Sequence, residues 1–406
     1  MDRPRSTAAS AVDALLADDL PRFSPAEHAR RRDWLLEQLA DHNLDRVIVY
    51  GANRAGSAID WLSGWPVTRE AVLLVEPDGP DLLLVQFRNH VPQATQLVRP
   101  DVIVRWAGPS TLDRLRDELI TRGDSAQRVG VIGPLAHGAA AGLAATVGAL
   151  VPLDAAHTRA RLVKSAEEVD WLRAGAVLSD AGIAGIADAL APGLDERGVV
   201  AAAERAYVPR GGRTHICYVM TTAMDAPDRA VPGQYPTARP LHHRDVVSVE
   251  LSAAFWGHAG QVLRTFTLGA PPTGLYTELH DVATAAFDAV AAVVRPGTPP
   301  AELRAAAGLI EDAGFTTIDD LVHGFGGGYL PPVVTSRSHT DVPLPEVALQ
   351  EGMTIVIQPN VVTRDGRAGV QTGELILVTG GGYERLHAAP SGLMVIDAAG
   401  PAGARR

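Results

Sequence analysis

Glu250 and His323 are the residues of this sequence that are best suited to acid–base chemistry. Glu250 alternates with Val247 and Val249 in a strand-like apolar run, where a carboxylate is costly unless it is paired or functional. His323 precedes a glycine-rich segment in which the backbone can approach a ligand closely, and an imidazole exchanges protons near neutral pH. We predict a catalytic pair. The structural alternatives are a loop-capping histidine and a glutamate that is paired with Arg264 or with an amide at the sheet edge.

A second polar segment contains Arg213, His215 and Cys217. His215 and Cys217 lie two residues apart in a strand-like stretch, so we expect their side chains to share a face. A thiol beside an imidazole can form a nucleophile pair, although a lone buried cysteine is more often an inert apolar residue. Arg213 can bind a substrate carboxylate, the alternative being a solvated surface arginine. We predict His215 and Arg213 as substrate-binding residues.

Composition excludes several classes of protein. The 406 residues carry a formal net charge of −11 and no basic run, which argues against a nucleic-acid-binding protein. No stretch of about 18 apolar residues predicts a membrane-spanning helix. The single cysteine excludes an intrachain disulfide. The first residues lack the blocks of a signal peptide, so we expect a cytoplasmic protein without a membrane or nucleic-acid partner.

Patterning in the first part of the chain predicts an α/β domain over residues 1–157. Apolar residues at helical spacing indicate helices over residues 24–43, 111–122 and 136–150. Short runs rich in Val, Leu and Ile predict strands over residues 46–50, 71–75, 81–86, 102–106 and 128–132.

The second predicted domain covers residues 158–406 and is richer in strands. Long helical patterns cover residues 165–190, 196–207, 276–294 and 299–313. Strands are predicted over residues 216–222, 246–255, 262–268, 354–361 and 368–378. Because strands follow one another rather than alternating with helices, we expect an antiparallel sheet with helices packed against it.

Five motifs in order then make the chain resemble the family of creatinase, Xaa-Pro aminopeptidase (prolidase) and methionine aminopeptidase. They cover residues 159–180, 244–268, 322–332, 352–361 and 369–386, and the likeness extends over about residues 23–396. The resemblance implies a creatinase-like N-terminal α/β domain. It also implies a C-terminal pita-bread domain with a curved antiparallel sheet and covering helices, and a homodimer.

The resemblance also implies where metal ligands would lie. Metallopeptidases of this family bind two divalent ions with two Asp, one His and two Glu. The matching residues here are, in order, Glu250, Gln261, His323, Gln358 and Gly373. The set carries a charge of about −1 rather than about −4, so we predict that the two-metal site is lost and that no cofactor is needed. One weak metal at Glu250, Gln261 and His323 stays open as an alternative.

Four further residues of these motifs are predicted to contact a substrate. Gln261 and Gln358 can orient an amide or a guanidine, or can simply satisfy each other where metals would lie. Glu374 follows Gly373 but should face the opposite side of the strand. Arg264 matches an arginine of the family that is more often structural.

We therefore predict a metal-independent enzyme that hydrolyses, or eliminates at, a C–N bond of a small amide, guanidino or amino-acid-derived substrate. Within the family, creatinase cleaves a guanidino C–N bond without metal. Its catalytic histidine, however, aligns near Gly233. Two alternatives are a non-catalytic peptide-binding module and a conventional Mn²⁺-dependent Xaa-Pro aminopeptidase.

Overall fold

The computed structural model describes residues 5–122 and 127–397, which divide into two compact units. One unit is Asp18–Arg161, and the other consists of the described residues on either side of it. Helix α1 (Arg5–Ala17) belongs to the second unit, where it contacts α8 (Ala166–Ala189). The domain limits of 1–157 and 158–406 remain a prediction from the sequence.

The unit Asp18–Arg161 is built on a six-stranded mixed sheet with the order β4-β3-β2-β1-β5-β6. Its strands are β1 (Arg46–Ala52), β2 (Glu70–Val75), β3 (Asp81–Val85), β4 (Val102–Trp106), β5 (Gln127–Ile132) and β6 (Gly148–Pro152). Its helices are α2 (Pro25–Asp41), α3 (Ala58–Ser63), α4 (Val91–Leu97), α5 (Thr111–Thr121), α6 (His137–Val147) and α7 (Asp154–Ala160).

Local signals explain where α2 begins. The Ser24 side chain accepts a hydrogen bond from the backbone N–H of Glu27, and Pro25 occupies the first turn, where it costs no hydrogen bond. Leu35 and Leu39 of this helix are buried, four residues apart on one face. The sequence period therefore selects the buried face of the helix.

The second unit contains a nine-stranded sheet whose main path is β12-β11-β13-β15-β9-β8-β7. The strands on that path are β7 (Arg213–Ala223), β8 (Asp245–Phe255), β9 (His258–Leu268), β11 (Val322–Phe325), β12 (Tyr329–Val334), β13 (Thr354–Ile357) and β15 (Gly373–Thr379). Strand β16 (Gly382–Arg385) pairs with β15, and β17 (Met394–Ile396) runs parallel to β9. A separate pair joins β10 (Thr316–Thr317) to β14 (Val361–Val362).

Helices cover this sheet. Besides α8 they are α9 (Glu196–Tyr207), α10 (Gly274–Val293), α11 (Pro300–Ala306) and α12 (Leu309–Asp312). A capping box begins α8, because the Ser165 side chain and Glu168 exchange hydrogen bonds with each other's backbone N–H. Gly175 lets α8 approach β9 closely, since a Cβ there would lie 2.4 Å from the carbonyl oxygen of His258.

Strands β8 and β9 form the hairpin that carries Glu250. Trp256 and Gly257 connect them with φ values of 53° and 121°, a two-residue turn whose positive φ angles match the twist of the strands. The register pairs Ser248 with Thr265 and Ser252 with Gln261. Glu250 and Gln261 therefore lie on the same face of the sheet.

The structure confirms the fold class: an N-terminal creatinase-like α/β domain and a C-terminal domain with a curled antiparallel sheet covered by helices. Four element predictions were wrong in part. The helix expected over 136–150 ends at Val147, where Gly148 begins β6, and the helix expected over 299–313 is two short helices. The strand expected over 354–361 ends as β13 at Ile357, since Val361 belongs to β14, and residues 368–372 precede rather than form β15. Helix α1 had not been predicted.

None of the helices within residues 5–122 and 127–397 combines the length and the apolarity that crossing a bilayer requires.

Candidate active site

An amide network joins three of the residues predicted for the site and lies beside a fourth. The Nε2 atom of Gln261 donates to Glu250 Oε1 at 2.9 Å and to Gln358 Oε1 at 3.0 Å. Gln358 Nε2 donates to the backbone oxygen of Asp320 at 3.2 Å, and the Gln358 side chain lies close enough to His323 to act on the pKa of its imidazole. The structure thus brings Glu250, Gln261, His323 and Gln358 together, although they come from separate motifs.

The geometry around His323 fixes its tautomer. Its Nδ1 atom lies 3.1 Å from the carbonyl oxygen of Gly324, which can only accept, so Nδ1 carries the proton and Nε2 keeps its lone pair. Tyr329 stacks on the imidazole at 4.1 Å between centroids, and Phe325 approaches it edge-on at 5.7 Å. His323 is only 1% exposed. Burial of its imidazole lowers the pKa of His323 to about 4.

The pKa of Glu250 moves in the opposite direction. Burial raises it to about 7, and the negative charges of Asp319 and Asp320 add to the effect, while a hydrogen bond with Gln371 opposes it. An ordinary glutamate is fully ionised at neutral pH. Glu250 is therefore partly protonated at a pH at which His323 is neutral.

Gly373, which matches the family's fifth ligand, lies where no side chain fits. Its φ of +155° is in the region that favours glycine, and a Cβ would lie 2.2 Å from the carbonyl oxygen of Ile357. The backbone of β15 thus passes directly against the residue before Gln358. Any side chain at this position requires the two segments to move apart.

Arg264 and Glu374 do not join this network. The strand register places Arg264 and Glu374 on the face of the sheet opposite to Glu250. Their side chains form an ion pair of 2.8 Å, and each side chain is 1% exposed. Arg385 also binds Glu374, and Arg264 donates to the carbonyl oxygens of Gly373 and Ala389. These contacts occupy both side chains within the protein, which favours a structural role for both residues.

His215 and Cys217 do not share a face, so that prediction was wrong. The register of β7 against β8 shifts between Thr214 and Ile216, which breaks the alternation of side chains. The His215 ring lies 6.2 Å from that of Phe325, which also contacts the His323 ring. Cys217 is buried instead, and burial and the charge of Glu204 raise its thiol pKa to about 12.

Arg213 is exposed at the beginning of β7, where it pairs in register with Ala254. Its predicted contact with a substrate carboxylate remains a prediction, as does substrate contact by His215.

The sequence reasoning had missed four residues of the site: Asp319, Asp320, Tyr329 and Gln371. The phenol of Tyr329 donates to the carboxylate of Asp320, and Tyr329 stacks on His323. Two adjacent acids just before a candidate histidine were the available signal for Asp319 and Asp320. No spacing rule indicates Tyr329, because a tight glycine turn folds it back over His323.

Two family models match this chain: the Creatinase/Prolidase N-terminal domain over residues 31–163, and metallopeptidase family M24 over residues 170–380. The probable dipeptidase PepE of Mycobacterium tuberculosis is 27% identical over 248 residues, which is 59% of this chain. That match spans 62% of the relative's length, which is less than two thirds.

Solved structures of low identity share the fold. The X-Pro aminopeptidase of Thermotoga maritima matches with a TM-score of 0.78 at 16% identity, covering 90% of this chain and 99% of that one. Dipeptidase PepE of Mycobacterium ulcerans matches with a TM-score of 0.75 at 22% identity, covering 93% and 100%. The family model spans more than half of the sequence, and the chain therefore belongs to metallopeptidase family M24.

Proposed function

We propose that this chain hydrolyses a C–N bond of a small peptide, amide or guanidino-type substrate through Glu250 and His323, without two metal ions. The observation that carries the proposal is the amide of Gln261, which donates to both Glu250 and Gln358. Hydrogen-bond donors thus occupy positions at which family metallopeptidases have ligands.

The residues at the family's ligand positions do not fit a dinuclear centre. The Nε2–H₂ groups of Gln261 and Gln358 are donors and cannot bind a cation, and their amide oxygens are neutral. Position 373 has no room for a side chain, and Glu374 is paired with Arg264. Within residues 5–122 and 127–397 no group of three or more His, Cys, Asp and Glu is able to hold a metal ion. No step proposed below uses a metal.

The two pKa values support separate acid and base roles. Groups whose environments push their pKa values apart suit opposite proton transfers. With a pKa of about 4, His323 is neutral at pH 7, and its Nε2 lone pair can take a proton. With a pKa of about 7, Glu250 is partly protonated and can give one.

The proposed reaction is hydrolysis. His323 Nε2 takes a proton from a water molecule, whose oxygen forms a bond to the carbonyl or guanidino carbon. The C–N bond breaks, and the leaving nitrogen takes the proton of Glu250. Transfer of a proton from His323 back to Glu250 then restores both groups. Elimination would instead break the C–N bond without adding the oxygen atom of a water molecule to the product.

The substrate class is supported by what the similar proteins are called: a dipeptidase, an X-Pro aminopeptidase and a prolidase. A small-molecule substrate, a homodimer and a cytoplasmic location complete the proposal. The homodimer rests on the resemblance alone.

The test combines metal analysis with turnover. Protein purified without chelator is analysed for transition metals. It is then assayed on Xaa-Pro and other dipeptides and on small amides, with Mn²⁺ and with EDTA. We expect far less than one metal per chain and turnover that EDTA does not reduce. Glu250→Gln and His323→Gln should each lower kcat about 10²–10⁴-fold. Glu346→Gln is the control: it changes an exposed glutamate and should leave kcat unchanged.

Two outcomes would contradict the proposal. About two metals per chain with Mn²⁺-stimulated cleavage would indicate the conventional aminopeptidase. Folded protein that turns over none of these substrates but binds peptides would indicate a binding module.

A further inference from the structure

Tyr329 covers the imidazole of His323. The phenol ring stacks on the imidazole with 4.1 Å between the ring centroids and 20° between the ring planes. Tyr329 is 55% exposed, whereas His323 is 1% exposed. The ring of Tyr329 therefore separates one face of the proposed catalytic base from solvent.

The phenol oxygen connects this ring to the amide network. It donates to the Asp320 carboxylate, and the backbone oxygen of Asp320 accepts from Gln358 Nε2 at 3.2 Å. Gln358 Oε1 in turn accepts from Gln261 Nε2 at 3.0 Å. A single exposed side chain thus contacts His323 directly and is connected to the amide network through Asp320.

The backbone of the β11–β12 hairpin places Tyr329 over His323. Residues 326–328 are three glycines with φ values of 145°, 60° and 119°, a run that residues with side chains rarely adopt. The backbone N–H of the first glycine donates to the carbonyl oxygen of the third at 3.0 Å, which closes a tight turn. The strand register shifts directly after His323, and Tyr329 pairs with Phe325.

Packing in the core does not explain the position of this ring. In the same hairpin, Val322, Leu330 and Val334 belong to the buried hydrophobic cluster of this unit. Tyr329 precedes Leu330 in β12, and neighbours along a strand face opposite sides, so its side chain points away from that cluster. The ring contacts His323 instead, which indicates a role at the site.

Two contacts together orient the imidazole. The Nδ1–H group of His323 donates to the carbonyl oxygen of Gly324, which fixes the direction of the ring. The stack with Tyr329 fixes its plane. A reacting group that is held in one orientation lowers the entropic part of the barrier, and small displacements of such a group are costly.

We propose that Tyr329 is a positioning residue: its ring holds and covers the imidazole of His323, and its phenol fixes Asp320 and, through it, Gln358. The inference rests on the proposed function, because His323 is the base of that reaction. The cover over His323 is nevertheless measured without turnover, so the two proposals can fail separately.

The first experiment measures how readily a reagent reaches His323. Diethyl pyrocarbonate acylates neutral imidazoles, and trypsin releases residues 305–337 as one peptide in which His323 is the only histidine. Mass spectrometry of this peptide gives the rate of acylation in the native protein. The exposed His42, which is also alone in its tryptic peptide, is the internal reference. We expect His323 to react at least about tenfold more slowly than His42.

The Tyr329→Ala variant should raise the rate of acylation at His323 about tenfold, whereas Tyr329→Phe keeps the ring and should raise it less than about threefold. Tyr383→Ala removes an exposed tyrosine of β16 and should leave the rate unchanged. Because Tyr329 is exposed, its variants should fold, which circular dichroism checks.

The second experiment measures turnover of a substrate that the parent protein hydrolyses. Tyr329→Ala should lower kcat about 10–100-fold and leave KM within about threefold, because a positioning residue acts on the reacting group rather than on substrate binding. Tyr329→Phe should restore most of kcat, and Tyr383→Ala should match the parent.

Equal acylation of His323 in the parent and in Tyr329→Ala would overturn the inference. A raised KM with an unchanged kcat would also overturn it, since that result indicates a contact with substrate. Protection of His323 by Tyr329 in a protein that turns over no substrate would leave the cover standing and refute only the proposed hydrolysis.

Discussion

Replacing Glu250 with glutamine should stabilise the protein at alkaline pH while lowering the kcat of the proposed hydrolysis about 10²–10⁴-fold. Burial raises the pKa of this carboxyl from 4.5 to about 7, so the charged form is disfavoured in the folded state. At about 1.4 kcal/mol for each tenfold change in acidity, the charged carboxylate lowers the free energy of unfolding by about 3 kcal/mol. Glutamine removes that charge and keeps an oxygen that can accept from Gln261.

The sign of the pH dependence follows from the same values. Above about pH 7 both folded and unfolded Glu250 are ionised, and the gain in the variant is complete. Between pH 7 and 4.5 the folded protein takes up a proton that the unfolded chain lacks, so the gain shrinks. Below about pH 4.5 both states are protonated, and the variant should match the parent in stability.

Denaturant unfolding followed by circular dichroism at about pH 8.5, 7 and 5 measures this difference. The Glu346→Gln control removes an exposed carboxylate and should show no such trend. A variant that gains nothing at pH 8.5, or gains more at pH 5, would refute the reasoning that Glu250 is a strained, uncompensated acid. A gain in stability with full activity would refute its catalytic role.

Three further predictions test other features of the fold. Arg264→Met should lower the free energy of unfolding by about 3–5 kcal/mol in denaturant titrations, because the buried charge of Glu374 loses one of its partners. A loss under about 1 kcal/mol would contradict this. Ser165→Ala should cost about 1 kcal/mol in the same assay by removing the capping box with Glu168, and an unchanged midpoint would argue against the cap. Cys217, whose pKa burial raises to about 12, should resist iodoacetamide at pH 8 until the protein is denatured, whereas rapid labelling of native protein would show a reactive thiol.

Local patterns predicted most of the elements that hold the site. Helices α2 and α8 begin directly after their capping residues, Ser24 and Ser165, because capping is a property of a few adjacent residues. The alternation of Glu250 with Val247 and Val249 predicted strand β8. Such signals need no knowledge of the rest of the chain.

Long-range geometry decided what the same patterns left open. A bulge in β7 separated His215 from Cys217, and no residue type at that point announces a shift of register. Close passage of β15 against Ile357 requires Gly373, a constraint that exists only once the two segments are adjacent. The alternation rule did correctly predict that Glu374 turns away from the position of Gly373.

By itself, the sequence determined which chemical groups lie at the family's ligand positions: one carboxylate, two amides, one imidazole and a glycine. Only the tertiary structure decided that Gln261 connects Glu250 to Gln358, and that Asp319 and Asp320 lie near Glu250. The physical reason is that a residue's type is local, whereas its pKa and its hydrogen-bond partners depend on burial and on charges that distant segments bring to it.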